Sequence, residues 1–354
     1  MRALALALGL VALVVAPARA DEPPLRLAFV GDVMFGRYVP GGFAPIPAER
    51  DDPFASVAPV LAAADLAFAN LETPVMARPP AKSPWGTRMR FVATPARLAR
   101  VAAAGIDVVS LANNHHYDVR AAGVAETPGH VAAAGLRAVG AAVATAPLRV
   151  ETIEHPGWRL AVIAATTVRN GTQRVGQPLL PHVGERDLVA TLVPLVTAAR
   201  ADHDVVLVLM HWGVEYAEAP SKRLVAAARA MVDAGADAVI GSHPHVLQAI
   251  ERYRGAVIAY SLGNFLFDNT RPIERQTGIL TLAFARARGA ACLHGAEFTP
   301  ALIDARPLHH PALATGRRGA IVRERVRRLS RARPFVTAWT DDGDRLTATG
   351  ACPP

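Results

Sequence analysis

The chain has 354 residues, is 51% hydrophobic and carries a formal net charge of +8, with pI near 10.2. That is ample material for a large core, in one domain or two small ones. Two cysteines are too few for a thiolate metal site, and the basic balance lacks the aromatic platform or recognition motif expected of a nucleic-acid binder.

The first predicted element is an export signal, Met1 to Ala20. Arg2 gives the positive start, LALALGLVALVVA the apolar stretch and APARA a small-residue cleavage site after Ala20. An uncleaved anchor is the alternative, but the apolar run is shorter than the ~20 residues a span needs. No cysteine follows the signal to carry a lipid, and no later segment is long and apolar enough to cross a bilayer. The expected mature protein is exported, periplasmic or secreted.

From Leu25 onward, apolar runs alternate with Ala-rich helical stretches. The expected strands are LRLAFVGD, DLAFANLE, IDVVSLAN, RLAVIAATT, HDVVLVLMHW, DAVIGS, AVIAYSLGNFLF and GILTLAFAR. The expected helices run Pro53 to Ala64, Pro95 to Ala104, Ala121 to Ala134, Gly184 to Ala201 and Ser221 to Ala234. This alternation predicts an α/β fold with a partly parallel sheet, and the near-continuous apolar strands predict burial on both faces. Tyr38 to Asp52, Met76 to Arg90 and Thr166 to His182 read as loops. The main domain is expected over residues 25–285. Residues 286–354 read as a basic, partly irregular extension, with GAACLHGAEFTPALIDARPL as two strands joined by a turn and Thr315 to Arg333 as a basic helix. Cys292 and Cys352 either pair, tying down the tail, or stay as two thiols.

Polar clusters follow five apolar runs: Asp32, Glu72, Asn114 with His115, His211, and His243 with His245. Ligand sites of open α/β sheets lie beyond the carboxyl ends of the strands, so five clusters predict one site. In GSHPHVLQ, an extended backbone would place both imidazoles on one face. Carboxylates, a carboxamide and imidazoles suit one or two divalent cations. Asn264 follows another strand and is placed to orient a ligand or water. Trp212, Glu215 and Tyr216 shape a pocket wall or pack in the core. Arg37 and Arg90 either bind an anionic substrate or belong to an arginine-rich surface, as most of the positive charge does.

GDVMFGR, NLETPV, DVVSLANNHHYD, HWGVEY, GSHPHVLQ and YSLGNFLFD, in this order, closely resemble the CapA family of capsule and poly-γ-glutamate biosynthesis proteins, over roughly Leu27 to Asp268. That family is similar in fold to the calcineurin-like metallophosphatases. The resemblance implies a four-layer β-sandwich flanked by helices, with manganese, iron or zinc as the cofactor. It implies Asp32 and His245 on the first metal, Glu72 as bridging carboxylate, Asn114 as the ligand carboxamide, His211 and His243 on the second metal, and His115 as the acid for the leaving group. Two positions depart from the metallophosphatase pattern: Met34 stands where a ligand histidine is usual, and NLE replaces a GDxxD-like motif. The implied partners are an anionic polymer or phosphorylated substrate and a capsule-synthesis complex. The implied roles are polymer binding during assembly or, alternatively, hydrolysis of a phosphoester or of a poly-γ-glutamate amide by metal-bound hydroxide.

Overall fold

The computed structural model describes residues 23–39, 42–45, 52–82, 90–142, 148–171, 179–268, 271–305, 309–350 and 352. The expected export signal lies outside these residues, as do parts of the three expected loops.

Side-chain alternation along Leu25–Val33 sets the layers. Leu25, Leu27 and Phe29 enter one buried cluster, and Ala28 and Val30 enter another. A strand buried on both faces must be apolar, as this one is from Leu27 to Gly31, after the partly exposed Arg26 and before Asp32. Leu25–Val33 pairs in parallel with Leu66–Leu71, which is followed by Val108–Ser110 and Arg137–Val139. On its other side the sheet continues antiparallel through Gln276–Ala287, Ala290–Asp304, Leu346–Thr349 and Thr340–Asp341. The second sheet has a parallel centre of Trp158–Thr166, Val205–His211, Ala238–Ser242 and Ala256–Ala259. Glu151–His155 and Ile250–Tyr253 border it antiparallel.

The inner faces meet in one core, in which Leu27, Phe29 and Phe68 join Leu160, Leu207 and Val257. The outer face of the second sheet is covered by helices Leu188–Asp202 and Lys222–Asp233. Pro95–Ala103 and Arg120–Ala133 cover the outer face of the first. The result is helix, sheet, sheet, helix: the four-layer sandwich the family resemblance implied.

Four local expectations need correction. AVIAYSLGNFLF is two strands in different sheets. Ala256–Ala259 belongs to the second, and Asn264–Leu266 pairs with the end of Leu25–Val33. The chain crosses at Gly263, whose φ of +67° favours glycine. Only Ala58–Leu61 of the helix expected at Pro53 to Ala64 is helical, because turns there bury Phe54 and Val57. The expected C-terminal hairpin is one 15-residue strand, Ala290–Asp304, paired along Gln276–Ala287. Within the loop expected at Tyr38 to Asp52, Gly42–Pro45 pairs with Gly36–Val39.

The stretch beyond residue 285 adds these strands to the first sheet, and the basic helix Gly316–Arg331 inserts Val322 and Val326 into the inter-sheet core. Cys292 and Cys352 form a disulfide that fastens the tail to the Ala290–Asp304 strand.

Candidate metal centre

Sheet register gathers the polar clusters. Asp32 lies beside Asn264 on one side and Asn70 on the other. His211 ends its strand beside Ser242. A Cβ on Gly31 would meet the Gly263 carbonyl oxygen at 1.9 Å, and one on Gly241 would meet the Tyr260 carbonyl oxygen at 2.0 Å. The glycines before Asp32 and Ser242 thus let the crossing segment pass close to both strand ends.

The histidine pair is not on extended backbone, as the sequence pattern suggested. It lies past the end of Ala238–Ser242, with φ of +96° at His243 and +58° at His245. Left-handed backbone costs a non-glycine residue roughly 1–2 kcal/mol. Two contacts offset that cost: the His243 N–H donates to Asp32 Oδ2 (3.2 Å), and His245 Nδ1 is 2.8 Å from Asn264 Oδ1.

Glu72 is the hub. Its Oε1 lies 3.6 Å from His211 Nε2, 3.7 Å from His115 Nε2 and 4.0 Å from His245 Nε2. Donor atoms of Glu72, His243 and His245 all lie within 4.8 Å of one another. Neither Glu72 oxygen has a hydrogen-bond partner, nor does His243 Nδ1. Burial and the nearby Asp32 charge push the Glu72 carboxyl well above its usual range. Burial holds His243 down at about 3 and His211 well below the imidazole range, each helped by neighbouring histidines. Burial also depresses His245, but Glu72 and Asp32 outweigh it and lift this ring to about 10. A buried carboxyl with its lone pairs unused, beside His211 and His243 held neutral, fits a divalent cation, whose entry would displace the proton on His245.

The remaining groups are fixed by a carboxamide chain. Asn113 Oδ1 accepts from the backbone N–H of His115 and His116, so its Nδ2 donates to Asn70 Oδ1 (3.1 Å) and the Leu71 carbonyl (2.9 Å). Asn70 Nδ2 therefore faces Asp32 Oδ1 at 2.7 Å and His211 Nδ1 at 3.2 Å. His211 Nδ1 is then an acceptor, and its Nε2 donates to Asn114 Oδ1 at 2.7 Å.

His115 is held from behind. Its Nδ1 lies 2.6 Å from Asp118 Oδ2, and its ring stacks on Phe91 with centroids 3.9 Å apart. Asp118 also accepts from the Phe91 N–H (2.8 Å), Arg90 (2.9 Å) and Asn170 (3.3 Å). Asn170 further accepts from Asn114 (3.2 Å).

Asp32, Glu72, Asn114, His115, His211, His243, His245 and Asn264 thus come together. Arg90 reaches the site through Asp118. Arg37 pairs with Asp268 and lies over Phe91, 5.2 Å from the ring centroid. Met34 packs with Phe91, Phe267 and Ile303, so an apolar cluster occupies the position of the usual histidine. Trp212 is core, whereas Tyr216 is partly exposed beside His245. Sequence reading missed Asn70, Asn113, Asp118 and Asn170. Asp118, three residues after His115 on the short 3-10 turn Asn114–Tyr117, carried a spacing signal. Asn113 caps the same turn, a second local signal, whereas Asn70 and Asn170 matter only through contacts distant in sequence.

A family model described as "Bacterial capsule synthesis protein PGA_cap" matches residues 26–269. The chain is 35% identical to "PGA biosynthesis protein CapA" of Bacillus subtilis (strain 168), over 70% of this chain and 64% of that protein. It is 34% identical to "Capsule biosynthesis protein CapA" of Bacillus anthracis, over 72% and 62%. The match therefore spans less than two thirds of either relative. Among solved structures, a putative 5'-nucleotidase from Staphylococcus aureus in complex with alpha-ketoglutarate aligns with 85% of this chain and 58% of its own, at 12% identity and TM-score 0.45.

Proposed function

The chain belongs to the bacterial capsule synthesis protein family, and we propose that it is an exported accessory factor of polyglutamate capsule synthesis that holds the anionic polymer at a divalent metal centre. One observation carries the reading: Glu72 is fully buried among histidines with neither oxygen in a hydrogen bond. Glu72, His243 and His245 would hold the ion, with Asp32 and Asn114 as further oxygen donors and His211 as a nitrogen donor on loss of its Nε2 proton, for one or two ions. This donor set suits manganese, iron or zinc. Bound there, the ion supplies a Lewis-acid positive charge for carboxylate or phosphate oxygens. Export rests on the Met1 to Ala20 pattern, and the Cys292–Cys352 disulfide supports an oxidising compartment.

The test is elemental analysis of the purified protein, followed by poly-γ-glutamate binding with and without EDTA. Bound metal and EDTA-sensitive binding are expected. Absence of metal, or binding indifferent to EDTA, would sink the reading.

A second reading, hydrolysis of a phosphoester or of the polymer's amide, is favoured by the His115–Asp118 pair. Asp118 fixes the ring through Nδ1 and leaves Nε2 facing the Glu72 side of the site. A proton at Nε2 is placed for delivery to a leaving group. Turnover of bis(p-nitrophenyl) phosphate or of poly-γ-glutamate, lost on His115→Asn, is the check.

A further inference from the structure

Beside His245 the site is bounded by a built wall. Tyr216 has a φ of +66°, a left-handed conformation that is strained for an aromatic residue. Its N–H donates to the Pro244 carbonyl (2.8 Å), between the two site histidines, and Gln248 Nε2 donates to the next carbonyl, that of Ala217 (2.7 Å). The Tyr216 ring is thereby held with its centroid 6.2 Å from that of His245. The Arg271 guanidinium lies 4.1 Å from the Tyr216 ring centroid and pairs with Glu274.

A second path anchors the same assembly. The Glu274 carbonyl accepts from Asn264 Nδ2 (3.3 Å), and Asn264 Oδ1 is the partner of His245 Nδ1. Tyr216, His245, Asn264, Glu274 and Arg271 thus form a closed ring of contacts. Yet Tyr216 remains 42% exposed, and the Arg271 side chain 55%. Glu274 engages one edge of a guanidinium that has five N–H donors, so others stay open to solvent.

We propose that Tyr216 and Arg271 form a carboxylate-recognition wall of the metal centre. Arg271 pairs with a pendant α-carboxylate of the bound γ-linked polymer, and Tyr216 holds the guanidinium in plane. A planar fork stacked on an aromatic face suits a carboxylate in a way that a lysine does not. This rests on the metal-centred polymer reading above, from which its test separates it.

The full-length, metal-loaded protein is titrated with a γ-linked glutamate oligomer, and metal content is measured for every variant. Arg254 supplies a matched control: it lies 5.5 Å from the Tyr253 ring centroid and pairs with Asp233, on Lys222–Asp233, a helix of the outer layer. Expected results are a roughly tenfold weaker Kd for Arg271→Gln, the scale of one charge-assisted hydrogen bond. Tyr216→Ala and Arg271→Lys should shift in the same direction, Arg254→Gln should match wild type, and metal content should not change. An Arg271→Gln affinity equal to wild type, with binding still abolished by EDTA, overturns the wall and leaves the metal reading standing. Equal losses in Arg271→Gln and Arg254→Gln overturn it as general charge attraction. A loss seen with polyphosphate but not with the glutamate oligomer overturns the carboxylate assignment. A wild-type protein that takes up metal but does not bind the oligomer overturns both readings.

Discussion

Asn70 Nδ2 donates to Asp32 Oδ1 at 2.7 Å. The same nitrogen sits 3.2 Å from His211 Nδ1, so one carboxamide positions a carboxylate and sets the tautomer of a histidine on the facing sheet. Replacing Asn70 with leucine keeps the branched shape and removes both contacts, together with the one Asn70 accepts from Asn113. Metal affinity should fall by about 10–100-fold, as for other residues that orient ligands. A competition titration with a chromogenic chelator measures this, and an unchanged far-UV spectrum shows the fold retained.

Glu72→Gln should affect the metal-free and metal-loaded proteins in opposite ways. The variant removes a buried charge that has no hydrogen-bond partner and is repelled by Asp32. In EDTA it should melt no lower than wild type, because burial and Asp32 disfavour this charge by more than His245 favours it. With metal at 100-fold excess over Kd, wild type should gain about 2.7 kcal/mol. The variant should gain far less. Thermal melts with and without metal decide the matter, and equal gains would remove Glu72 from the ligand set.

If the site turns over a substrate, His115→Asn and Asp118→Asn should lower kcat by roughly 10²–10⁴-fold, the usual contribution of a positioned acid. Metal content should not change, because Asp118 contacts His115 rather than the Glu72 oxygens. Steady-state rates together with elemental analysis separate this outcome from simple metal loss.

Alkaline stability should depend on Tyr260. Its hydroxyl donates to Glu251 Oε2 at 2.7 Å, and Arg229 pairs with the same carboxylate. Burial, then the Glu251 hydrogen bond and charge, raise this phenol above its ordinary 10.0, outweighing Arg229. The folded protein keeps the proton at pH values where the unfolded chain loses it. The associated stability is thus complete below pH 10 and falls as pH rises from there towards the folded value. Tyr260→Phe should cost about 1–3 kcal/mol at neutral pH, by leaving Glu251 short of a donor, and should flatten the alkaline decline. Denaturant titrations from pH 8 to 11 test this.

The disulfide closes a loop of 60 residues. Chain-entropy arguments assign such a loop about 4 kcal/mol. A Cys292→Ala/Cys352→Ala protein should lose up to that amount in urea unfolding, and protease nicking should begin near Leu346–Thr349, the tail strand beside Cys352.

By itself the sequence determined the alternation of strands and helices and the family. It also determined the ends of five strands, because an apolar run that stops at Asp32, Glu72, Asn114, His211 or His243 can be read locally. A strand must turn polar where it leaves the core, and that change is written in adjacent residues. Tertiary structure alone decided which sheet each half of AVIAYSLGNFLF joins, since both halves are equally apolar and only the close approach at Gly31 and Gly241 separates them. It alone decided the left-handed backbone of His243 and His245, which no residue type announces. It alone brought Asn70 to His211, across 141 positions of sequence. A hydrogen bond between facing sheets depends on register and on the distance between layers, and neither quantity is encoded in the residues next to either partner.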